Sequence, residues 1–328
     1  IMIRTAILGG SDLDAGELIR ILTGHPDVEI IAVQASGLEG RQISSHHHGL
    51  IGERLPSFSA SFSPGKCDVI FVCGPAIGAD DFARLRETAG ADTKIICFNA
   101  PLDSDGRACY APLSKSEGVA TADTTVGVYA LPEINRKQLV RGAANAFLPS
   151  AFASMALVAL YPLALNMLLK GDIELHFSAP EEIISRTDIR EVEEEINGVI
   201  AEIQKSYDGR ISIRTEKSPT RRSAQMTSVF NCTVNSEHLL EIYEIYDDHN
   251  FSFAVDRIPG VSEVAGTDKC IVSVEKPEES TMRLGCVADC RLRGASGEAV
   301  HVMNLLCGLH EKTGLALKAI DFTPIESC

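Results

Sequence analysis

Short runs of β-branched and apolar residues recur through the first hundred positions, separated by turn residues and by stretches of helical period. Residues 3–8 (Ile-Arg-Thr-Ala-Ile-Leu) form the first run, and Gly9-Gly10-Ser11 ends it. Residues 14–23 then carry Leu18, Ile21 and Leu22 on one helical stripe. Residues 28–33 follow His25-Pro26 as a second run, residues 68–73 are a third and residues 94–98 a fourth, with a helical stretch at 80–88 between the last two. Parallel strands need a long crossover between them, usually a helix. This alternation therefore predicts βαβ units and a parallel sheet covered on both faces, an α/β class of Rossmann-like form.

From Asp172 the pattern changes. Residues 173–178, 211–215 and 228–234 alternate apolar and polar side chains, as half-buried antiparallel strands do, and residues 270–274 and 283–289 read as further strands. Residues 190–206 read as an amphipathic helix, and residues 237–246 as another helix. Glu191, Glu193, Glu194 and Glu195 are expected to form a solvated face near a helix N-terminus, not a metal site. The second region is thus an α+β domain whose open antiparallel sheet offers a face to another subunit. The longest apolar stretch, residues 151–169, is interrupted by Ser154, Tyr161, Pro162 and Asn166. A buried helix broken near Pro162 fits it better than a membrane span.

Charge and cysteine usage narrow the function. A formal net charge of -15 argues against binding to a phosphate backbone or an anionic membrane surface. The 10 cysteines contain no C-x-x-C pair, so neither a zinc site nor a disulfide framework is indicated, and a reduced, cytoplasmic protein is expected. His46-His47-His48 invites a metal reading, but adjacent histidines cannot all face one ion from a regular element. A role in a loop is expected, and no metal.

Three segments carry a resemblance. Val128-Tyr129-Ala130-Leu131-Pro132-Glu133 is followed by Asn145-Ala146-Phe147-Leu148-Pro149-Ser150-Ala151, and Gly294-Ala295-Ser296-Gly297-Glu298-Ala299-Val300-His301-Val302-Met303-Asn304-Leu305 comes near the end. They resemble N-acetyl-gamma-glutamyl-phosphate reductases, relatives of aspartate-semialdehyde dehydrogenase. That family reads Y-G-L-P-E, then N-P-G-C-Y-P-T-A, then G-A-S-G-Q-A-V-Q-N-M-N-L. The resemblance implies that the last helix returns to the nucleotide domain. Residues 1–148 plus 296–328 would then bind dinucleotide, and residues 149–295 would be an inserted substrate and dimerisation domain. It also implies NADP or NAD as cofactor, a small-molecule substrate, and a homodimer or homotetramer.

In the family the cysteine of the second motif attacks an acyl phosphate, and NADPH reduces the resulting thioester. Here that segment holds no cysteine. The family position falls at Phe147 or Leu148, with Ser150 as a stand-in nucleophile or a helix cap. Cys73 and Cys97 end apolar runs and are expected to be buried. The family's cofactor loop, G-A-T-G-Y-T-G-A-E-L, aligned on Glu17-Leu18, keeps its first glycine as Gly9. Its second becomes Asp12 and its third Ala15. Asp12 is either a cap for the following helix or a carboxylate where pyrophosphate belongs. The resemblance implies cofactor contacts at Gly9, Ser11, Asp12, Leu13, Ser36, Gly74 and Asn304. It implies substrate contacts at Asn145, and paired guanidinium groups at Arg221 and Arg222 suit an anion. The Arg that would hold a 2′-phosphate is missing, and the nearest is Arg41. The chain is therefore read as a divergent NAD(P)-dependent oxidoreductase of amino-acid (arginine) biosynthesis without the usual thiolate. The alternative is a catalytically silent paralogue that binds a metabolite or serves as a regulatory subunit.

Overall fold

A computed structural model describes residues 2–108, 110, 111, 113 and 127–320. The chain divides into two compact units. Of the described residues, the first takes those up to Pro149 and Ala295–Ala316, and the second takes Ser150–Gly294 and residues 317–320. Residues 317–320 therefore belong to the second unit, whereas the whole tail was expected in the first. The Ile320 N–H donates to the Ala265 carbonyl at 2.9 Å, which ties them there.

The first unit runs β1 (Ile3–Leu8), α1 (Leu13–Thr23), β2 (Val28–Gln34), β3 (Phe58–Ser59), β4 (Val69–Val72), α2 (Ala79–Thr88), β5 (Lys94–Cys97), β6 (Tyr110–Ala111), β7 (Gly127–Tyr129), α3 (Pro132–Val140) and β8 (Asn145–Phe147). All eight strands pair in parallel, in the order β3-β2-β1-β4-β5-β8-β7-β6. Ala6, Ile70, Val72, Ile95 and Cys97 bury the middle of the sheet together with Phe82 of α2. The chain moves outward from β1 to β2 on one side and from β4 to β5 on the other. The gap between the carboxyl ends of β1 and β4 is thus the switch point where ligands bind in such sheets.

The second unit holds α4 (Ala151–Leu165), β9 (Ile173–Pro180), α5 (Glu181–Ser185), α6 (Ile189–Ile203), β10 (Ile211–Ser218), β11 (Ser223–Asn231), α7 (Ser236–Tyr243), β12 (Ser252–Val255), β13 (Cys270–Glu278) and β14 (Thr281–Asp289). Its sheet runs β10-β9-β11-β14-β13-β12. The three central pairings are antiparallel as expected, but β9 with β10 and β12 with β13 are parallel. For the first of these the reason is the helical crossover through α5 and α6, which brings the chain back in the same direction.

Helix α4 is buried along nearly its whole length and does not break at Pro162; it continues to Leu165. Proline has no N–H for the carbonyl four residues earlier, which is that of Val158. The Tyr246 hydroxyl donates to this carbonyl at 2.6 Å, and the Tyr243 hydroxyl donates to the next, Ala159, also at 2.6 Å. Two phenols from the α7 region satisfy what the proline leaves open. No helix among the described residues is long and apolar enough to cross a membrane. On α6, Glu191 and Glu194 are exposed. Glu193 instead accepts the Ile213 N–H at 2.7 Å, and Glu195 accepts the Ser150 hydroxyl at 3.0 Å. Half of the acidic run is thus internal wiring, not a solvated face.

The chain returns to the first unit as α8 (Ser296–Leu306), which packs on α1, α3 and β5. The Ser296 hydroxyl donates to the Asp14 carbonyl at 3.0 Å, fixing the start of α8 to the first turn of α1.

Candidate functional site

The turn from β1 into α1 sits at the switch point. Gly9 has φ 72, and a Cβ there would lie 2.3 Å from the Cys73 carbonyl oxygen, so only glycine fits. Gly10 donates to the Gln34 carbonyl at 2.8 Å, and Asp12 donates to the Gly9 carbonyl at 2.9 Å. Asp12 is the N-cap of α1, and its carboxylate accepts the Asp14 N–H at 2.9 Å. Gly74 lies beside it: a Cβ on Gly74 would be 3.7 Å from an Asp12 carboxylate oxygen. Gly9, Ser11, Asp12, Leu13 and Gly74 are therefore brought together. Of the two roles expected for Asp12, the cap is the one seen. Helix N-termini attract anions, and here the chain's own anion sits at that end.

Two members of the histidine triplet, whose place no pattern in the sequence gave, lie over this turn. His47 Nε2 is 2.6 Å from the Gly10 carbonyl, His46 Nε2 is 2.9 Å from the Ser11 carbonyl, and His48 Nε2 is 3.2 Å from the Ser45 carbonyl. Among the described residues no group of three His, Cys, Asp or Glu is placed to hold a metal ion. Burial lowers the pKa of the half-buried His47; the Gly10 carbonyl raises it, and the nearby His46 lowers it further.

Ser36, Asn304 and Asn145 lie outside this turn. Ser36 is exposed past the end of β2. The carboxylate of Glu39 accepts the Gly37 N–H at 3.0 Å in this loop, so an anion stands in the loop where a 2′-phosphate would want a cation. Asn304 is fully buried and committed. Its amide donates to the Glu311 and Thr313 carbonyls at 3.0 and 2.8 Å, and its oxygen meets His25 at 3.0 Å. The residue of α8 that reaches the cofactor turn is Ser296, which the resemblance did not single out. Asn145 pairs with Ile95 at the amino end of β8, the end of the sheet opposite the switch point, and its oxygen accepts from Arg86 at 3.4 Å.

Phe147 is wholly buried in β8, its ring edge-on to Phe82 at 5.2 Å, and Leu148 donates its N–H to the Cys97 carbonyl at 2.9 Å. Neither side chain reaches a surface. In the second unit, Ser150 caps α4 by accepting the Ala153 N–H at 3.3 Å while its hydroxyl donates to Glu195. Ala151 follows as the first helical residue. Gly294 packs on it so closely that a Cβ would come within 2.4 Å of the Ala151 Cα. Arg221 and Arg222 do not converge. Arg221 is exposed, and Arg222 Nε donates to Asp289 at 2.5 Å, the carboxyl that burial pushes above the usual range. Cys73 and Cys97 are buried as expected, and burial raises the thiol pKa of both.

Residues 4–141 match the family model described as Semialdehyde dehydrogenase, NAD binding domain. The chain is 32% identical to the N-acetyl-gamma-glutamyl-phosphate reductase of Parabacteroides distasonis, over 98% of this chain and 100% of that protein. It is 31% identical to the reductase of the same name from Bacteroides thetaiotaomicron, over the same shares. Among solved structures it resembles aspartate semialdehyde dehydrogenase II from Vibrio cholerae complexed with ASA. There the TM-score is 0.64 and the identity 14%, covering 94% of this chain and 99% of that one. It also resembles aspartate semialdehyde dehydrogenase with NADP from Candida albicans, with a TM-score of 0.62 and 11% identity over 94% and 99%. At such identities the likeness to solved structures speaks for the fold alone.

Proposed function

The chain belongs to the N-acetyl-gamma-glutamyl-phosphate reductase family of NAD(P)-dependent, semialdehyde-dehydrogenase-type oxidoreductases, and from that membership we propose that it keeps the family's dinucleotide turn and has lost its covalent step. One observation carries the proposal: no thiol stands between the end of β8 and the first turn of α4. The motif N-P-G-C-Y-P-T-A, laid without a gap over residues 148–155, meets Pro149 with its first proline, Phe152 with its tyrosine and Ser154 with its threonine. Its cysteine then falls on Ala151, not on Phe147 or Leu148, which are core residues of the strand end. A thiolate at Ala151 would be favoured by the helix N-terminus. A methyl group has no electron pair to offer an acyl phosphate. Ser150 is a poor replacement, because its hydroxyl is engaged with Glu195 and an oxygen ester accepts hydride less readily than a thioester.

On this reading the protein is a silent paralogue with respect to acyl-phosphate reduction, binding a small-molecule metabolite as a homodimer or homotetramer. The backbone of the β1–α1 turn fits a dinucleotide, and the Asp12 carboxylate opposes one. The retained turn favours a second reading, an oxidoreductase acting on a substrate already activated as a thioester or imine. The test is NADPH oxidation with N-acetyl-gamma-glutamyl phosphate. No turnover is expected from the unaltered protein. Turnover at an ordinary enzyme rate, about 1–1000 per second, would overturn the proposal and assign the nucleophile to Cys73 or Cys97, the buried thiols that end β-strand runs.

A further inference from the structure

The imidazoles of His46 and His47 do more than fill a loop. A carbonyl oxygen can only accept, so each ring meeting the turn must carry its proton on Nε2. In a trans peptide the C=O and the following N–H point in opposite directions. Holding the Gly10 carbonyl therefore aims the Ser11 N–H away from His47. That N–H and the Leu13 N–H donate to no group among the described residues. The Asp12 and Asp14 N–H groups, by contrast, are used inside the turn.

A second observation ties His47 to the helix itself. At position 16, where the family motif has alanine, this chain has Gly16, and a Cβ there would lie 2.6 Å from His47 Nδ1. Glycine inside a helix costs about 1 kcal/mol relative to alanine. The chain bears that cost at the one place where the ring needs room.

We infer that His47, supported by His46, is a positioning residue for a diphosphate group, turning the Ser11 N–H toward the ligand of the β1–α1 turn. The inference rests on the reading of that turn as a dinucleotide site. The groups facing His47 are His46 on its own loop, the Asp12 carboxylate on the turn, and the ring of Phe58. Burial lowers the pKa of His47 and so favours the neutral ring, whose Nε2–H donates without a charge.

The test is calorimetric binding of NAD+ and of NADP+ to the unaltered protein, Asp12→Gly, and His47→Leu and His47→Gln made in the Asp12→Gly background. Leucine fills the space without a donor, and glutamine restores an N–H at similar reach. The leucine variant should bind about tenfold more weakly than Asp12→Gly alone, and the glutamine variant should recover most of that loss. A purely structural role would lower the unfolding midpoint of both variants and would not separate their affinities. Unchanged affinity in His47→Leu, or equal losses in the two, would overturn this inference while leaving the cofactor reading intact. Failure of Asp12→Gly to bind either dinucleotide would overturn both.

Discussion

Two helices begin where a parallel strand of the first unit ends: α1 after β1, and α4 after β8. Each start is capped by a side chain of its own, Asp12 on α1 and Ser150 on α4. At each start a glycine is held by sterics that no side chain could satisfy, Gly9 against Cys73 and Gly294 against Ala151. They differ in what the side chains have become. At α1 the cap is a carboxylate, standing beside Gly9 and Gly74 at the switch point. At α4 the first helical residue, Ala151, carries only a methyl group, packed against the Gly294 backbone. Close backbone packing persists because any change to it is paid throughout the unit. A functional side chain at the surface of that packing can be exchanged with little effect on the fold.

This contrast can be broken in four ways. Gly9→Ala and Gly294→Ala should be the most damaging, each costing about 3 kcal/mol or more through strain at positive φ, and each lowering the thermal midpoint by roughly 6–12 °C. A small shift for either would mean that its turn relaxes freely. Asp12→Gly should act oppositely, strengthening dinucleotide binding about tenfold, or ~1.4 kcal/mol, as expected for relief of a like-charge contact near a surface. Calorimetry reads it, and an unchanged constant reduces Asp12 to a cap. Ala151→Cys should give a thiol titrating about one unit below the ordinary 8.5. Its alkylation rate against pH reports this, and an ordinary pKa would remove the case for Ala151 as the family position. The smallest effects belong to the caps. Ser150→Ala and Asp12→Ala should each cost about 1 kcal/mol, seen as small midpoint shifts in thermal melts.

The long regular elements were legible because their period is written in the residues: β1, β2, β4 and β5 by their apolar runs, α6 by its stripe of Val192, Ile196, Val199 and Ile200. Strands β3, β6, β7 and β8 have two or three residues each, too few to show an alternation. The parallel edges of the second sheet were hidden because half-buried strands alternate in the same way whichever direction they run. Pro162 misled because the compensating hydroxyls of Tyr243 and Tyr246 come from about 85 residues later in the chain, and no local pattern carries them. The β1–α1 turn was readable at Gly9 and Asp12, where the motif itself is local. His46 and His47 touch that turn from 35 and 37 residues away, and Arg222 finds Asp289 at a separation of 67. Contacts of that span leave no mark in spacing.

The backbone contact of Gly294 with Ala151 also brings the entrance and the exit of the second unit to the same place. Residues 150–294 thus leave and rejoin the chain at adjacent points, and the entropy of closing the gap they would leave is small. Joining Pro149 to Ala295 through a few flexible residues is therefore a practical route to the parallel-sheet unit as a separate fragment. The converse fragment is harder to make. A piece spanning only 150–294 would lack Ile320, whose N–H completes the Ala265 carbonyl, so the second unit needs a segment of the tail supplied in trans or spliced on. Which half of this protein can be inherited alone is set by where its chain crosses over.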